Sequence, residues 1–414
     1  GRSGEQHPVQ PLIHEFRRDW GEIEVALDRA EGRQIVEALL DNEPNQLGAE
    51  FRETLYRQTR GHPLFTIELL RGMQERGDLV QDSESRWVVG PTLDWEILTP
   101  RVEAVIAQRV ERLAEPLKKA LSVASVEGET FTAEVVARTQ AVDEQEMVAS
   151  LSGELDRRHR LIRAQGIQRA ADQRLSRYRF RHILFQTYLY NSLDEVERAR
   201  LHEQVGTALE TLYGEHIEEM AAIAPLLARH FERAGLPAEA IAYYQQAGNR
   251  AVRMSANAEA IVHLTGGIEL LKTLPDTPER AERELALQLA VAVPIMTTKS
   301  WAFAEADRAY TRARELCEEI GDTSQLLMAL AGDRAFRTAR ADHRASVAVA
   351  EQCLDLAQRL QDPLHEVQGH YELAIALTFV GELGASLAHA EQVMALYDPQ
   401  LHSSLAYLLG QDPA

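Results

Sequence analysis

The chain has 414 residues, of which 45% are hydrophobic and 26% charged, the balance of an ordinary globular protein rather than a fibrous or disordered one. Its 64 acidic side chains against 44 basic ones leave a formal charge of −20, which argues against a surface that coats DNA or an anionic membrane. The longest apolar stretches, such as 285–296, are broken by Gln288 and Pro294 and fall short of the roughly 20 residues a membrane span needs. No cationic-then-apolar leader opens the chain. Cys317 and Cys353 are too few for a disulfide framework or a Cys-rich zinc site. A soluble, cytoplasmic protein with no membrane association is the expectation. The chain begins Gly1-Arg2-Ser3-Gly4 rather than with Met and stops inside a repeat, so it reads as a piece of something longer.

In chain order, the first motif is Gly61-His62-Pro63, a Gly–Pro punctuation ahead of a helical pattern over 64–73. Trp87-Val88-Val89 reads as a short strand. Val102, Val105, Ile106, Val110 and Leu113 fall on one face at 3.6-residue spacing, as do Met147, Leu151 and Leu155, so helices are predicted there. Two more strand signals, Leu161-Ile162-Arg163-Ala164 and Tyr178-Arg179-Phe180, flank an Arg-rich turn and precede another helix. Helices closing on a two-stranded wing predict a winged-helix module over about 100–193; an irregular helical linker is the alternative.

From about residue 221 the chain repeats. Ala345-Ser346-Val347-Ala348-Val349-Ala350-Glu351-Gln352 recurs as Ala385-Ser386-Leu387-Ala388-His389-Ala390-Glu391-Gln392, a step of 40 residues. The same step links Leu316, Leu356 and Leu396, and also Asp322 with Asp362. A period near 40 with two helices per unit predicts a stacked solenoid of tetratricopeptide type. Ala345, Ala348 and Ala350 would let neighbouring helices approach, with Tyr244, Tyr310 and Phe336 filling the gaps. Thr277-Pro278 and Asp362-Pro363 each place a capping residue before a Pro at the first helical position.

The sequence has no G-x-x-x-x-G-K-[ST], no G-x-G-x-x-G after a strand and no G-x-S-x-G. Two other motifs carry a resemblance. Gly61-His62-Pro63-Leu64-Phe65-Thr66-Ile67-Glu68-Leu69 resembles the G-x-P element that follows the nucleotide-binding core of STAND-class (AAA-like) signalling ATPases. Tyr178-Arg179-Phe180-Arg181-His182-Ile183-Leu184, continuing to Tyr188, resembles the F-x-H-x-L segment of their winged helix. Between them Leu98-Thr99-Pro100-Arg101-Val102, Arg109, Leu113, Val123-Ala124-Ser125-Val126-Glu127-Gly128 and Phe131 fit the same pattern. Nearly the whole chain thus resembles the C-terminal part of bacterial STAND ATPases with tetratricopeptide repeats, of the kind fused to nucleotide cyclase or transcription-activator domains.

The resemblance implies a mainly α chain: a remnant of the ATPase helical lid over 1–75, a winged-helix module over 76–195 and a tetratricopeptide-like α-solenoid over 196–414. It implies the regulatory and partner-sensing portion of a signal-transducing ATPase, in which the repeats bind a protein or ligand signal and the winged helix gates the nucleotide core. In that family the Pro of the G-x-P element packs beside adenine and the winged-helix His touches the β-phosphate of ADP. Gly61, His62, Pro63 and His182 are the corresponding candidate nucleotide-binding residues. The P-loop and the acidic strand-end residue that hold phosphate and magnesium are missing from this sequence. ATP or ADP with Mg is therefore expected as a cofactor of the intact parent protein alone, and no catalysis is expected from this chain.

Plainer readings stand beside these. As local sequence, Gly61-His62-Pro63 is also a bare turn before a helix, and His182 a satisfied structural histidine. Residues 157–181 carry nine Arg against one acid, Asp172. Such a wing suits a nucleic-acid backbone, but the interleaved aromatics that stack on bases are missing. Nucleic acid is accordingly not expected as a partner, and a role within the molecule or in self-association weighs more. His365 and His370 are five apart, roughly 140° around a helix, so they do not form the one-face pair of H-E-x-x-H and no metal site is expected. Trp20, Trp87, Trp95 and Trp301 are scattered as packing residues are. The expected partner is a protein or peptide on the repeat surface. Two alternatives remain open: a free-standing tetratricopeptide scaffold for protein–protein interaction, and a winged-helix DNA-binding regulator.

Overall fold

The computed structural model describes residues 32–91, 93–95, 97, 100–170, 173–214, 216–298 and 304–398. The first 31 residues of the expected lid segment, Trp20 among them, Leu98-Thr99, Asp172, Trp301 and the residues after 398 lie outside the described residues. The chain is mainly helical and divides into two compact units, Gly1–Gln168 with Leu175–Asp194, and Arg169–Arg174 with Glu195–Ala414.

The first unit begins with α1 (Gly32–Asp41), α2 (Ala49–Thr59) and α3 (Pro63–Arg76). A small antiparallel ribbon follows, β1 (Leu79–Gln81) on β2 (Trp87–Val89), with Leu79 opposite Val89. Val36, Leu40, Phe51, Leu55, Leu69, Met73 and Leu79 form its core. Next come α4 (Pro100–Glu111), α5 (Glu115–Glu127), β3 (Thr130–Thr132), α6 (Ala133–Gln140) and α7 (Glu144–Ser150), which runs on as π-helical turns over Leu151–Arg158. Asp143 starts α7 by accepting hydrogen bonds from the backbone N–H groups of Gln145 and Glu146, the usual way an acidic N-cap satisfies orphan donors. The wing is β4 (Ile162–Ala170) and β5 (Gln173–Phe180), and α8 (Ile183–Ser192) closes the unit.

β5 lies between β3 and β4, with Thr130 opposite Arg179 in antiparallel register. The helices α5 and α6 pack on β3 of this sheet. β3 went unread in the sequence because three residues are too short for an alternation to register. Its middle residue, Phe131, is fully buried and packs on Phe180 at 5.3 Å between ring centroids. Burying one such ring stabilises the fold by about 1.5–3 kcal/mol. Of the apolar face predicted for α4, Val102 and Ile106 are buried but Val105 is exposed, and Leu113 lies past the helix end. Met147, Leu151 and Leu155 are all buried, as their spacing predicts.

The second unit is an array of antiparallel helices: α9 (Glu195–Tyr213), α10 (Ile217–Arg233), α11 (Pro237–Arg253), α12 (Asn257–Leu271), α13 (Pro278–Thr298), α14 (Ala304–Ile320), α15 (Thr323–Ala339), α16 (His343–Leu360), α17 (Pro363–Val380) and α18 (Leu383–Leu396). Each packs on its sequence neighbours, and α11, α13, α15 and α17 also touch one another in succession, which makes them the inner layer of a tetratricopeptide-like solenoid. The helix starts explain the period. Asp322, Asp342 and Asp362 each cap the following helix, accepting from the N–H of Gln325, Ala345 and Leu364. Close approach depends on small residues: Gly332 lies directly under the Tyr310 ring, and Ala350 is fully buried. Ala348, expected in that role, faces solvent instead. Cys317 and Cys353 are both buried and unbridged, and burial pushes the Cys317 thiol up to about 11. Among the described residues, no helix is long and apolar enough to cross a membrane.

Candidate functional site

α2 ends at Thr59, and the chain turns through Arg60 and Gly61, at φ 50° and 70°, before α3 begins. The turn fits only because two glycines meet: a Cβ on Gly61 would lie 2.1 Å from the Gly32 carbonyl oxygen at the start of α1. Two buried threonines fix it from below. Thr59 Oγ1 accepts from the Gly61 N–H at 3.3 Å, and Thr66 Oγ1 lies 3.0 Å from both Thr59 Oγ1 and the His62 carbonyl. His62 is then the N-cap of α3, with Pro63 at the first helical position where no N–H is needed.

His182 is the N-cap of α8, and α8 packs on α2, α4 and α5. Gln186 holds it there, its Nε2 donating to the Ser125 carbonyl at 2.7 Å. That placement brings His182 to the Gly61-His62-Pro63 turn. The two imidazoles stand edge-on, 5.5 Å between centroids, and Phe65 lies 4.5 Å from His62 and 5.4 Å from His182. Phe185 completes the ring cluster, and the Arg109 guanidinium sits over it, 5.7 Å from the centroid.

Electrostatically the site is positive. Two helix N-termini converge on it, neither closed by its own side chain. Burial first, then His62 and Arg109, hold the His182 imidazole down at about 4; the Thr59 carbonyl pulls the other way, and Arg181 adds a smaller lowering. His62 is lowered too, by burial and by Arg109. Both rings are therefore neutral near pH 7, and His182 Nδ1 is buried without a hydrogen-bond partner. Beside burial, Arg109 and its own backbone act on the His62 ring, whereas His62, Arg109, the Thr59 carbonyl and Arg181 act on His182. Such a cluster suits recognition of an anion that carries a flat ring: orphan N–H groups and a guanidinium for the charge, and Pro63, backed by the buried Phe65, for the plane.

The four predicted residues, Gly61, His62, Pro63 and His182, thus lie together. Sequence reading left out Phe65, Phe185, Thr59 and Thr66, and did not assign Arg109 to the site. The signals were faint: Phe65 and Phe185 each follow their histidine by three residues, one helical turn on. A separate cleft of about 240 Å³ lies at Trp87, lined by Leu40, Leu47, Ile67, Leu70 and Arg71 among others, and contains none of the four.

Four of the nine arginines are answered by acids of the first unit. Arg158 pairs with Glu154, Arg177 with Glu127, Arg179 with Glu129 and Arg181 with Asp156. His365 lies 3.1 Å from Asp362, whereas His370 bonds His389, so the two do not converge. Among the described residues, no group of three or more His, Cys, Asp or Glu is placed to hold a metal ion.

No protein-family model matches the chain, and no curated protein does. Among solved structures, it is similar to the crystal structure of a Signal Transduction ATPase with Numerous Domains (STAND) protein with a tetratricopeptide repeat sensor from Pyrococcus horikoshii, with 14% identity over 91% of this chain and a TM-score of 0.32. The match covers 55% of that chain, so this protein spans about half its length. At this identity and score the likeness carries no argument about what the chain binds or does.

Proposed function

We propose that this chain is the regulatory and partner-sensing part of a signal-transducing ATPase of the STAND class. Its repeats offer a docking surface for a protein or peptide, and its winged-helix module gates a nucleotide. One observation carries the reading: two motifs far apart in the sequence, Gly61-His62-Pro63 and His182, meet in one positive, ring-lined cluster. Pro63 supplies an apolar plane beside a base, and His182 with the start of α8 supplies donors to a diphosphate. ADP would hold the turn and the winged helix together, and a signal on the repeats would shift the population to an open, ATP-bound assembly. Firm binding of ATP or ADP with Mg belongs to the intact parent protein; the site in this chain binds ADP weakly, and hydrolysis is not assigned to it, because its sequence lacks a P-loop.

The test is thermal unfolding of the chain with and without ADP and magnesium, repeated with His182→Ala. A ligand at tenfold its Kd stabilises by about 1.4 kcal/mol. The expected result is an upward shift that the variant loses. No shift at millimolar ADP, or the same shift in both proteins, would overturn the reading and leave a repeat scaffold without a nucleotide link.

A further inference from the structure

The second unit opens on α9 and α10, and two histidines close their contact. His202 and His230 are 3% and 0% exposed, with their Nδ1 atoms 2.8 Å apart and their rings 5.0 Å between centroids. A bond between two ring nitrogens needs one N–H and one lone pair, so this geometry tolerates a single proton between them. His230 Nε2 is buried with no hydrogen-bond partner. The less costly arrangement therefore keeps the His230 proton on Nδ1, donating to His202 Nδ1, and leaves a bare lone pair rather than an orphaned N–H at Nε2. A further proton has no good place to go. On His202 Nδ1 it faces another N–H; on His230 Nε2 it is a buried cationic donor without an acceptor.

The surroundings reinforce this. The charged groups that bear on the two rings include Arg198 from α9 and Arg229 and Arg233 from α10, which oppose added positive charge. α11, the next helix on α10, turns the Tyr243 and Tyr244 hydroxyls to the Glu210 and Glu232 carboxylates.

We infer that His202 and His230 form an acid-sensitive latch on the first helix pair of the array, holding α9 on α10 while both rings are neutral and releasing it when either takes a further proton. Burial holds His202 down at about 4 and His230 well below its ordinary value. The sign follows from that direction. As pH falls below about 6.5, an opened pair takes protons that the closed pair refuses, so closure weakens until about pH 4. In an array whose helices pack mainly on their sequence neighbours, one helix pair can open while the rest stays packed. The His370–His389 bond between α17 and α18, 2.9 Å long, is less enclosed: both rings are only partly buried, and although burial and His389 lower His370, Glu366 opposes them.

The test is native-state hydrogen exchange on the full chain, corrected for intrinsic exchange. Between pH 7 and pH 5 the opening constant of α9 and α10 should rise about twentyfold from His202 alone. The rise should vanish in the double variant His202→Leu/His230→Leu. An equal rise in that variant would overturn the latch. Imidazole NMR titration of the unmodified chain decides the matter independently if the variant does not fold: both rings should stay neutral to below pH 5, and ordinary titration of either near 6.5 would overturn the latch.

Discussion

Gly61 sets the geometry of the candidate site by being absent as a side chain. An added Cβ would meet the Gly32 backbone, and the left-handed φ of 70° would strain it as well. Gly61→Ala is expected to cost about 2–5 kcal/mol, adding strain to overpacking. Gly77→Ala has the same sign of φ but open space around it, and should cost only about 1–2 kcal/mol. Urea unfolding of the two variants separates them; equal losses would mean that the close approach of Gly32 and Gly61 is unimportant. Glu127 makes a similar point for a polar residue. Its buried carboxylate accepts from the Thr132 N–H and Oγ1 and from Arg177, tying α5 to β3 and β5. Glu127→Ala leaves those donors unmet and should destabilise by about 3 kcal/mol, read as a lowered Tm.

Among the elements, the repeat was legible because its signals are local. The 40-residue step from Asp322 to Asp362 and the Asp362-Pro363 helix start are both visible in the sequence, and Asp322, Asp342 and Asp362 do cap their helices. The wing was less legible. Its nine Arg read as an unbalanced charge because two of the acids that answer them, Glu127 and Glu129, reach Arg177 and Arg179 only through the fold, while Glu154 and Asp156 stand just ahead of the run. Two expected outcomes follow at this scale. Arg163→Ala, on the exposed strand β4, should change stability by no more than about 0.5 kcal/mol, whereas Arg177→Ala should cost about 2–3 kcal/mol. Within the array, Glu372 holds the buried Arg334 across α15 and α17, and Glu372→Ala should cost about 3–5 kcal/mol by stranding that charge. Chemical denaturation at neutral pH checks each value.

Across the whole molecule, helix content and repeat architecture follow from periodicity, while the site follows from motifs whose meeting no local pattern encodes. His62 and His182 could be named from the sequence; that Phe65 would touch both, and that Arg109 would depress both, depends on where α4 and α8 pack. The histidine pair His202–His230 was invisible for the same reason: two residues on separate helices acquire their chemistry only when those helices close. The most direct measurement of the central claim is imidazole NMR of the full chain during titration with ADP and magnesium. The account predicts that the His62 and His182 signals move together and saturate, while the Trp87 indole at the separate cleft stays still. Unmoved His62 and His182 signals at ADP concentrations that stabilise the chain, with Trp87 shifting in their place, would contradict it.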